Sequence, residues 1–273
     1  MADKQVPAPE ENRPETYSQN ERQALITRLV IENGSVLVDE LSERFGVSRM
    51  TIHRDLDDLE RQGVLRKVRN GATAQPSSHF ESNVRFRLGR QVAEKEAMAH
   101  AALGFIETGQ TIILDEATTL LPLVRLLPDV APLTVITNFL PILEGLRSVP
   151  DIHLIGLGGE FLPRFDTFTG LLAEQTLATL HADLYITSTT AVANAMTFHP
   201  DPQVVSVKRL MMRRATRSLL LVDHTKFGKT ALYEFAPISA FDAVIVDSGV
   251  APQHLEQVHA KALKVVVAQG SAA

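Results

Sequence analysis

Two groups of side chains stand out by type and spacing. Arg49, His53 and Arg54 fall near the start of a short predicted helix, and Arg66, Lys67 and Arg69 crowd the segment before Asn70-Gly71. A guanidinium fork matches the edge of guanine and clustered cations match phosphate oxygens, so the chemistry on offer is contact with nucleic acid. Other chemistries lack their residues. With no cysteine there is no disulfide, iron-sulfur cluster, thiolate zinc site or cysteine nucleophile. The nine histidines show neither HExxH nor HxxEH spacing, and Gly156-Leu157-Gly158-Gly159-Glu160-Phe161 lacks the third glycine of a dinucleotide fingerprint. No metal or cofactor is therefore expected.

The net charge of -5 argues at first against a nucleic-acid partner, but the charge is unevenly placed. Between residues 44 and 72, Arg44, Arg49, Arg54, Arg61, Arg66, Lys67 and Arg69 outnumber Asp55, Asp57, Asp58 and Glu60. Elements that would position these cations can be read around them. Residues 1–20, with Pro7, Pro9 and Pro14, read as a disordered tail. Residues 21–73 read as three helices and a hairpin. Asn20 caps the first helix and Asn33-Gly34 stops it; the second spans Val38 to Phe45; Gly46 turns the chain; Ser48 caps the third, whose Ile52, Leu56 and Leu59 face inward. Asn70-Gly71 then signals a hairpin. This is the pattern of a winged helix-turn-helix, in which the third helix enters the major groove and the wing meets phosphates. An ordinary helical bundle with a solvated charged face fits the same pattern.

Residues 74–91 are polar and read as a linker. Beyond them, apolar strands at Thr111–Asp115, Leu133–Thr137, Ile152–Ile155, Leu184–Thr187, Leu219–Asp223, Ala243–Asp247 and Val265–Ala268 alternate with helical stretches. Strands apolar on both faces imply a mostly parallel sheet covered by helices, an α/β domain over 92–268. No apolar run reaches the length that spans a bilayer, and the first twenty residues lack the pattern of a signal peptide. A soluble, cytoplasmic protein is expected.

The run Gly46-Val47-Ser48-Arg49-Met50-Thr51-Ile52-His53-Arg54-Asp55-Leu56, with Leu59-Glu60, Gly63-Val64-Leu65-Arg66 and Gly71-Ala72, resembles the DNA-binding signature of DeoR-type bacterial regulators. His53 stands where that family usually has the first of two arginines, and Asn70-Gly71 replaces its paired wing glycines. The resemblance continues through Asp115-Glu116-Ala117-Thr118-Thr119, Thr137-Asn138, Gly158-Gly159, Gly170, Val207-Lys208-Arg209 and Asp223-His224-Thr225-Lys226-Phe227-Gly228. It implies a second domain resembling ribose-5-phosphate isomerase that binds a sugar phosphate or related metabolite. It further implies a homo-oligomeric repressor of a carbohydrate operon, released from double-stranded operator DNA by that effector.

The expected DNA contacts are Ser48, Arg49, Thr51, His53 and Arg54 from the helix and Arg66, Lys67 and Arg69 from the wing. The expected effector contacts are Asp115, Thr118, Thr119, Asn138, Gly158, Gly159, Lys208, Asp223 and Lys226. Asp115 and Asp223 end apolar strands, where ligands of open parallel sheets lie, and Thr118 and Thr119 open the next helix, where a phosphate can be held. Each residue also has a plainer reading, as a helix cap or a solvated charge. Ala117 in place of the family's glycine narrows the loop's freedom, and Glu116, if it points inward, would repel phosphate and favour a polyol. An isomerase is disfavoured because Thr187-Ser188-Thr189-Thr190-Ala191 has no carboxylate where those enzymes carry Asp-Gly-Ala-Asp-Glu, leaving no general base. A domain that only oligomerises remains the other alternative.

Overall fold

The computed structural model describes residues 17–61, 63–73 and 84–270, which fall into two compact units divided after Phe80. The first ten residues of the expected linker, 74–83, lie outside the described residues, as does the expected tail up to residue 16.

In the first unit, helix α1 spans Gln19–Asn33. Its cap is Ser18 rather than Asn20: the Ser18 hydroxyl accepts from Glu21 N, and the Glu21 carboxylate accepts from Ser18 N at 2.9 Å. Serine three residues before glutamate satisfies two terminal N–H groups at once, which a lone asparagine cannot do. The folded chain thus starts inside the segment expected as tail. Gly34 ends α1 at φ 75°. Strand β1, Ser35–Leu37, leads into α2, Val38–Phe45, and Gly46 at φ 62° turns the chain. Ser48 Oγ accepts from Thr51 N at 3.1 Å and so caps α3, Arg49–Arg61, whose Ile52, Leu56 and Leu59 are buried.

Strands β2, Arg66–Val68, and β3, Gly71–Thr73, form the wing, with Asn70 at φ 62° in the turn. β3 lies between β2 and β1, and the sequence reading missed β1 because three residues carry no period. That third strand explains Gly71. A Cβ there would sit 2.1 Å from the Val36 carbonyl oxygen, so only glycine lets β3 pass β1.

The second unit begins earlier than expected. Residues 84–91 are not linker: α4, Val84–Leu88, buries Val84, whose N–H donates to the Arg164 carbonyl at 3.0 Å. Helix α5, Val92–Leu103, follows. All seven anticipated strands form one parallel sheet: β4 (Thr111–Leu114), β5 (Leu133–Thr137), β6 (Ile152–Gly156), β9 (Ala182–Ser188), β12 (Ala215–Val222), β14 (Ala243–Asp247) and β15 (Val265–Ala268).

Successive strand residues face opposite layers. Ile112 and Leu114 pack with Met98 of α5, Leu123 of α6 (Leu121–Leu126) and Ile142 of α7 (Leu140–Leu146). Ile113 packs on the other side with Leu177 of α8 (Gly170–Ala178), Met211 of α9 (Pro202–Arg213) and Val258 of α10 (Pro252–His259). Two helical layers on a two-faced apolar sheet bury most side chains of the central strands β4, β5, β9, β12 and β14 and leave the edge strands β6 and β15 largely part-exposed, which is why the central strands read as continuous apolar runs.

The strand order is β15-β14-β12-β9-β4-β5-β6. From β4 the chain moves outward through β5 and β6, then returns to place β9 on the other side of β4. The order therefore reverses between β4 and β9, and a crevice opens there at the carboxyl ends. Two small antiparallel pieces frame that end of the domain, both too short to read in sequence. One is the hairpin β7–β8 (Glu160–Leu162, Thr167–Thr169), and the other is the sheet β10-β11-β13 (Ala191–Ala193, Met196–His199, Tyr233–Pro237).

Candidate functional site

At the switch point the register sets Leu114 opposite Ile186 on β9 and Thr137 on β5, so Asp115, Thr187 and Asn138 emerge at one level. Asp115 is fully buried. One of its oxygens accepts from Tyr185 Oη at 2.6 Å, from Lys208 Nζ at 2.6 Å and from the Thr187 hydroxyl. Lys208, buried on α9, also reaches Glu116 Oε1 at 3.0 Å and the Ser188 carbonyl at 3.2 Å. Burial by itself lowers the Lys208 ammonium, but the Asp115 and Glu116 carboxylates more than reverse this and hold it above its ordinary value. Burial raises the Glu116 carboxyl, and Lys208 offsets only part of that. Lys208 thus spends its charge on two carboxylates and positions the loop, a different role from the ligand cation expected of it.

The loop itself is unstrained. Ala117 adopts φ -82°, so no glycine is needed, and Glu116 does point inward, into the pocket. That pocket is a small cavity of about 90 Å³, with further space at its open mouth. Thr118, Thr119, Lys208, Asp223 and Lys226, five of the nine expected effector contacts, line it. Asp115 lies behind the wall, holding Lys208. Asn138, Gly158 and Gly159 are not in the lining. Asn138 Nδ2 donates to the Phe168 carbonyl at 2.9 Å and ties down the β7–β8 hairpin. At Gly159, φ is 137° and a Cβ would meet the Thr169 carbonyl at 2.4 Å, so close backbone approach accounts for this glycine without a ligand.

Several wall residues escaped the sequence reading, the cations Arg87, Arg90 and Lys95 among them. Arg87 and Arg90 come from α4 and the turn after it, in the stretch taken as linker, and Lys95 comes from the inner face of α5. Polar residues before a helix resemble a connector until the fold shows them aimed inward. Among the described residues, Arg87 Nε and Nη2 are buried with no hydrogen-bond partner. Lys95, 5% exposed, donates to the Arg87 carbonyl and to Thr118 Oγ1 at 3.3 Å. Burial, with the nearby charges of Lys226 and Arg87, lowers it from 10.5 to about 8. Lys226 sits 3.9 Å from Asp223, a carboxylate already capping its own turn through Thr225 N at 3.0 Å. Cations on one wall, with Arg87 Nε and Nη2 lacking acceptors among the described residues, suit an anion.

Among the described residues, Glu94, His224 and Asp247 bring potential metal-ligand atoms within 4.8 Å of one another. Asp247, however, accepts from His224 N at 2.6 Å, His224 Nδ1 at 2.7 Å and Gly249 N at 3.0 Å, so it serves as the brace of this loop. His224 accordingly pairs with Asp247 and not with its neighbour Asp223.

In the first unit, Arg49, Met50 and Arg54 are exposed on α3, and His53 is half-buried. Arg49 Nε pairs with Asp39 at 2.7 Å, and Lys67 pairs with Asp57 of α3, joining wing to helix. Among the described residues Arg54 and Arg69 make no ion pair. The Ser48 and Thr51 hydroxyls lie 2.9 Å apart and are engaged in the cap. Asp55, the acidic residue of the signature, is buried and accepts from Arg22 Nε at 2.5 Å and Gln23 Nε2 at 3.3 Å, so it fastens α3 to α1.

A winged helix-turn-helix and a parallel α/β domain in one chain define the architecture of a DNA-binding transcriptional regulator. The DeoR-like helix-turn-helix domain matches residues 22–78 and the DeoR C-terminal sensor domain matches residues 90–248. The chain belongs to the DeoR family. It is 34% identical to the uncharacterized HTH-type transcriptional regulator YulB of Bacillus subtilis over 90% of this chain and 95% of that one. It is 32% identical to the transcriptional repressor AccR of Agrobacterium fabrum over 85% and 91%. Among solved structures, ribose 5-phosphate isomerase A from Methanocaldococcus jannaschii aligns with 49% of this chain and 53% of that one, at 14% identity and a TM-score of 0.36. Among the described residues no helix is long and apolar enough to cross a membrane.

Proposed function

We propose that this protein represses a carbohydrate-metabolism operon and is released from its operator by a phosphorylated sugar or sugar derivative bound in the pocket of the second unit. The observation that carries the ligand reading is the buried Arg87 guanidinium, with two nitrogens lacking acceptors, on the wall shared with Lys95 and Lys226. A phosphate supplies the missing acceptors and the countercharge together, and the Thr118 and Thr119 hydroxyls complete its surroundings. The inward Glu116 does not oppose this, because Lys208 holds its charge.

Arg87 also suggests how binding is felt. It lies on α4, the first described element after the segment that leads from the DNA-binding unit, so a phosphate that fixes Arg87 fixes the start of that connection. On the operator, Arg49, Thr51, His53 and Arg54 contact bases or adjacent phosphates, and Arg66, Lys67 and Arg69 the backbone. The repressive sign draws support from a relative, AccR, named a transcriptional repressor.

The test is release of the protein from its own upstream DNA by a panel of sugar phosphates, free sugars and polyols, followed by gel shift. Release by a phosphorylated compound and not by its free sugar is the expected result. Release by none transfers the second unit's role to self-association.

A further inference from the structure

His199, at the end of β11, is 1% exposed, and among the described residues its Nε2 is buried without a hydrogen-bond partner, although the residue lines the pocket. The ring packs against Phe165 with centroids 5.2 Å apart, which fixes its plane. Its Nδ1 lies 3.2 Å from Asp201 N, an N–H that needs an acceptor, and its Nε2 faces Glu116 Oε1 at 3.8 Å. The Asp201 carbonyl also lies 3.4 Å from Nδ1, but the shorter contact from Asp201 N, and the carboxylate facing Nε2, which would repel a lone pair there, select the tautomer with hydrogen on Nε2. Burial, reinforced by Lys208 and Arg87, pushes the ring well below its ordinary range and keeps it neutral. The pocket floor therefore presents one donor and one carboxylate acceptor that do not reach each other.

Resting on the sugar-phosphate reading, we infer that His199 and Glu116 form a hydroxyl-reading subsite: the ligand is a polyhydroxylated phosphate ester, one hydroxyl of which accepts from His199 Nε2 and donates to Glu116. A hydroxyl oxygen bonded to both partners at about 2.8 Å holds them about 4.6 Å apart at the tetrahedral angle and bridges the 3.8 Å gap at an angle of roughly 85°, so it can join them with its bonds bent. A hydroxyl is both donor and acceptor, as the gap requires; a phosphate oxygen is only an acceptor and would meet the Glu116 carboxylate. The ester is thereby oriented, with phosphate toward Arg87, Lys95 and Lys226 and polyol toward the floor. A site built to bond a hydroxyl rejects the analogue that lacks it, because its own buried groups are left unpaired.

The experiment is calorimetric titration of the full-length protein with inorganic phosphate, D-ribose 5-phosphate, D-fructose 6-phosphate and D-glucitol 6-phosphate. The expected result is that an ester binds more tightly than inorganic phosphate. His199→Phe should weaken that ester roughly 10- to 100-fold, as loss of a hydrogen bond coupled to a charged group does, and leave inorganic phosphate unchanged. Lys226→Ala should weaken both. On the wild type, one single-deoxy form of the ester should show the same loss, and His199→Phe should no longer distinguish it from the parent. Esters that bind His199→Phe as tightly as wild type, or deoxy forms that all bind the wild type like the parent, overturn the subsite and leave the sugar-phosphate reading standing. If neither phosphate nor any ester binds the wild type, that reading fails and the subsite with it.

Discussion

Lys95 and Arg54 illustrate two opposite uses of a cation. Lys95 is buried beside Lys226 and Arg87, with Asp223 and Glu94 giving back only part of the cost of its charge, and it titrates at about 8. It is therefore charged at pH 7 and loses its proton as pH rises, while a phosphate ester, with a second pKa near 6, stays dianionic. Ester affinity should hold steady near pH 7 and fall above about pH 8, and Lys95→Arg should remove the fall because a guanidinium does not titrate there. An affinity flat to pH 9 in the wild type would exclude Lys95 from the anion's surroundings. Arg54, in contrast, is exposed and unpaired on α3. Arg54→Ala should cost roughly 1 to 3 kcal/mol of specific operator binding and relax preference at one base pair. Unchanged affinity and preference in a gel-shift series would remove Arg54 from base readout. His53 and Arg54 were legible as adjacent polar residues on a helix with an apolar face, whereas the burial of Lys95 was not, because a lysine in a helix normally faces water.

Helices position both sites, and the joint between α1 and α3 is the one most exposed to a single change. Arg22 and Asp55 are both nearly excluded from water, so removing one leaves the other a buried, uncompensated charge. Asp55→Asn should destabilise the DNA-binding unit by about 3 to 5 kcal/mol, read as a shift of the earlier denaturant transition. The double substitution Arg22→Met, Asp55→Leu should recover much of that stability; a single variant as stable as wild type would mean the pair is not buried in solution. The sequence displayed Asp55 within a motif but gave no sign of its partner, which lies 33 residues away on another helix. The α4 segment teaches the converse. Its arginines looked like solvated linker, and only the burial of Val84 and the packing of α4 against the Thr118–Leu120 turn brought them to a pocket.

Across the whole molecule, the proposed operator and effector sites lie in separate units of one chain, so any coupling between them is reciprocal. If a phosphate ester lowers operator affinity by some factor, operator duplex must lower ester affinity by the same factor. Titrating the ester with and without duplex checks this, and unequal factors would mean that released protein differs in some further way, such as assembly state. The chain alone determined much of this design. Seven apolar runs separated by helical periods specified a two-faced parallel sheet, and Gly46, Ser48 and the Ile52-Leu56-Leu59 stripe specified the helix that displays Arg49 and Arg54, because local periodicity and caps encode what each element buries. Tertiary structure alone decided which polar groups meet. Lys208 was drawn to Asp115 and Glu116, Asn138 and Gly159 to hairpin packing, and Arg87, Lys95 and His199 to the pocket, because side chains distant in sequence become partners only once the sheet order reverses between β4 and β9.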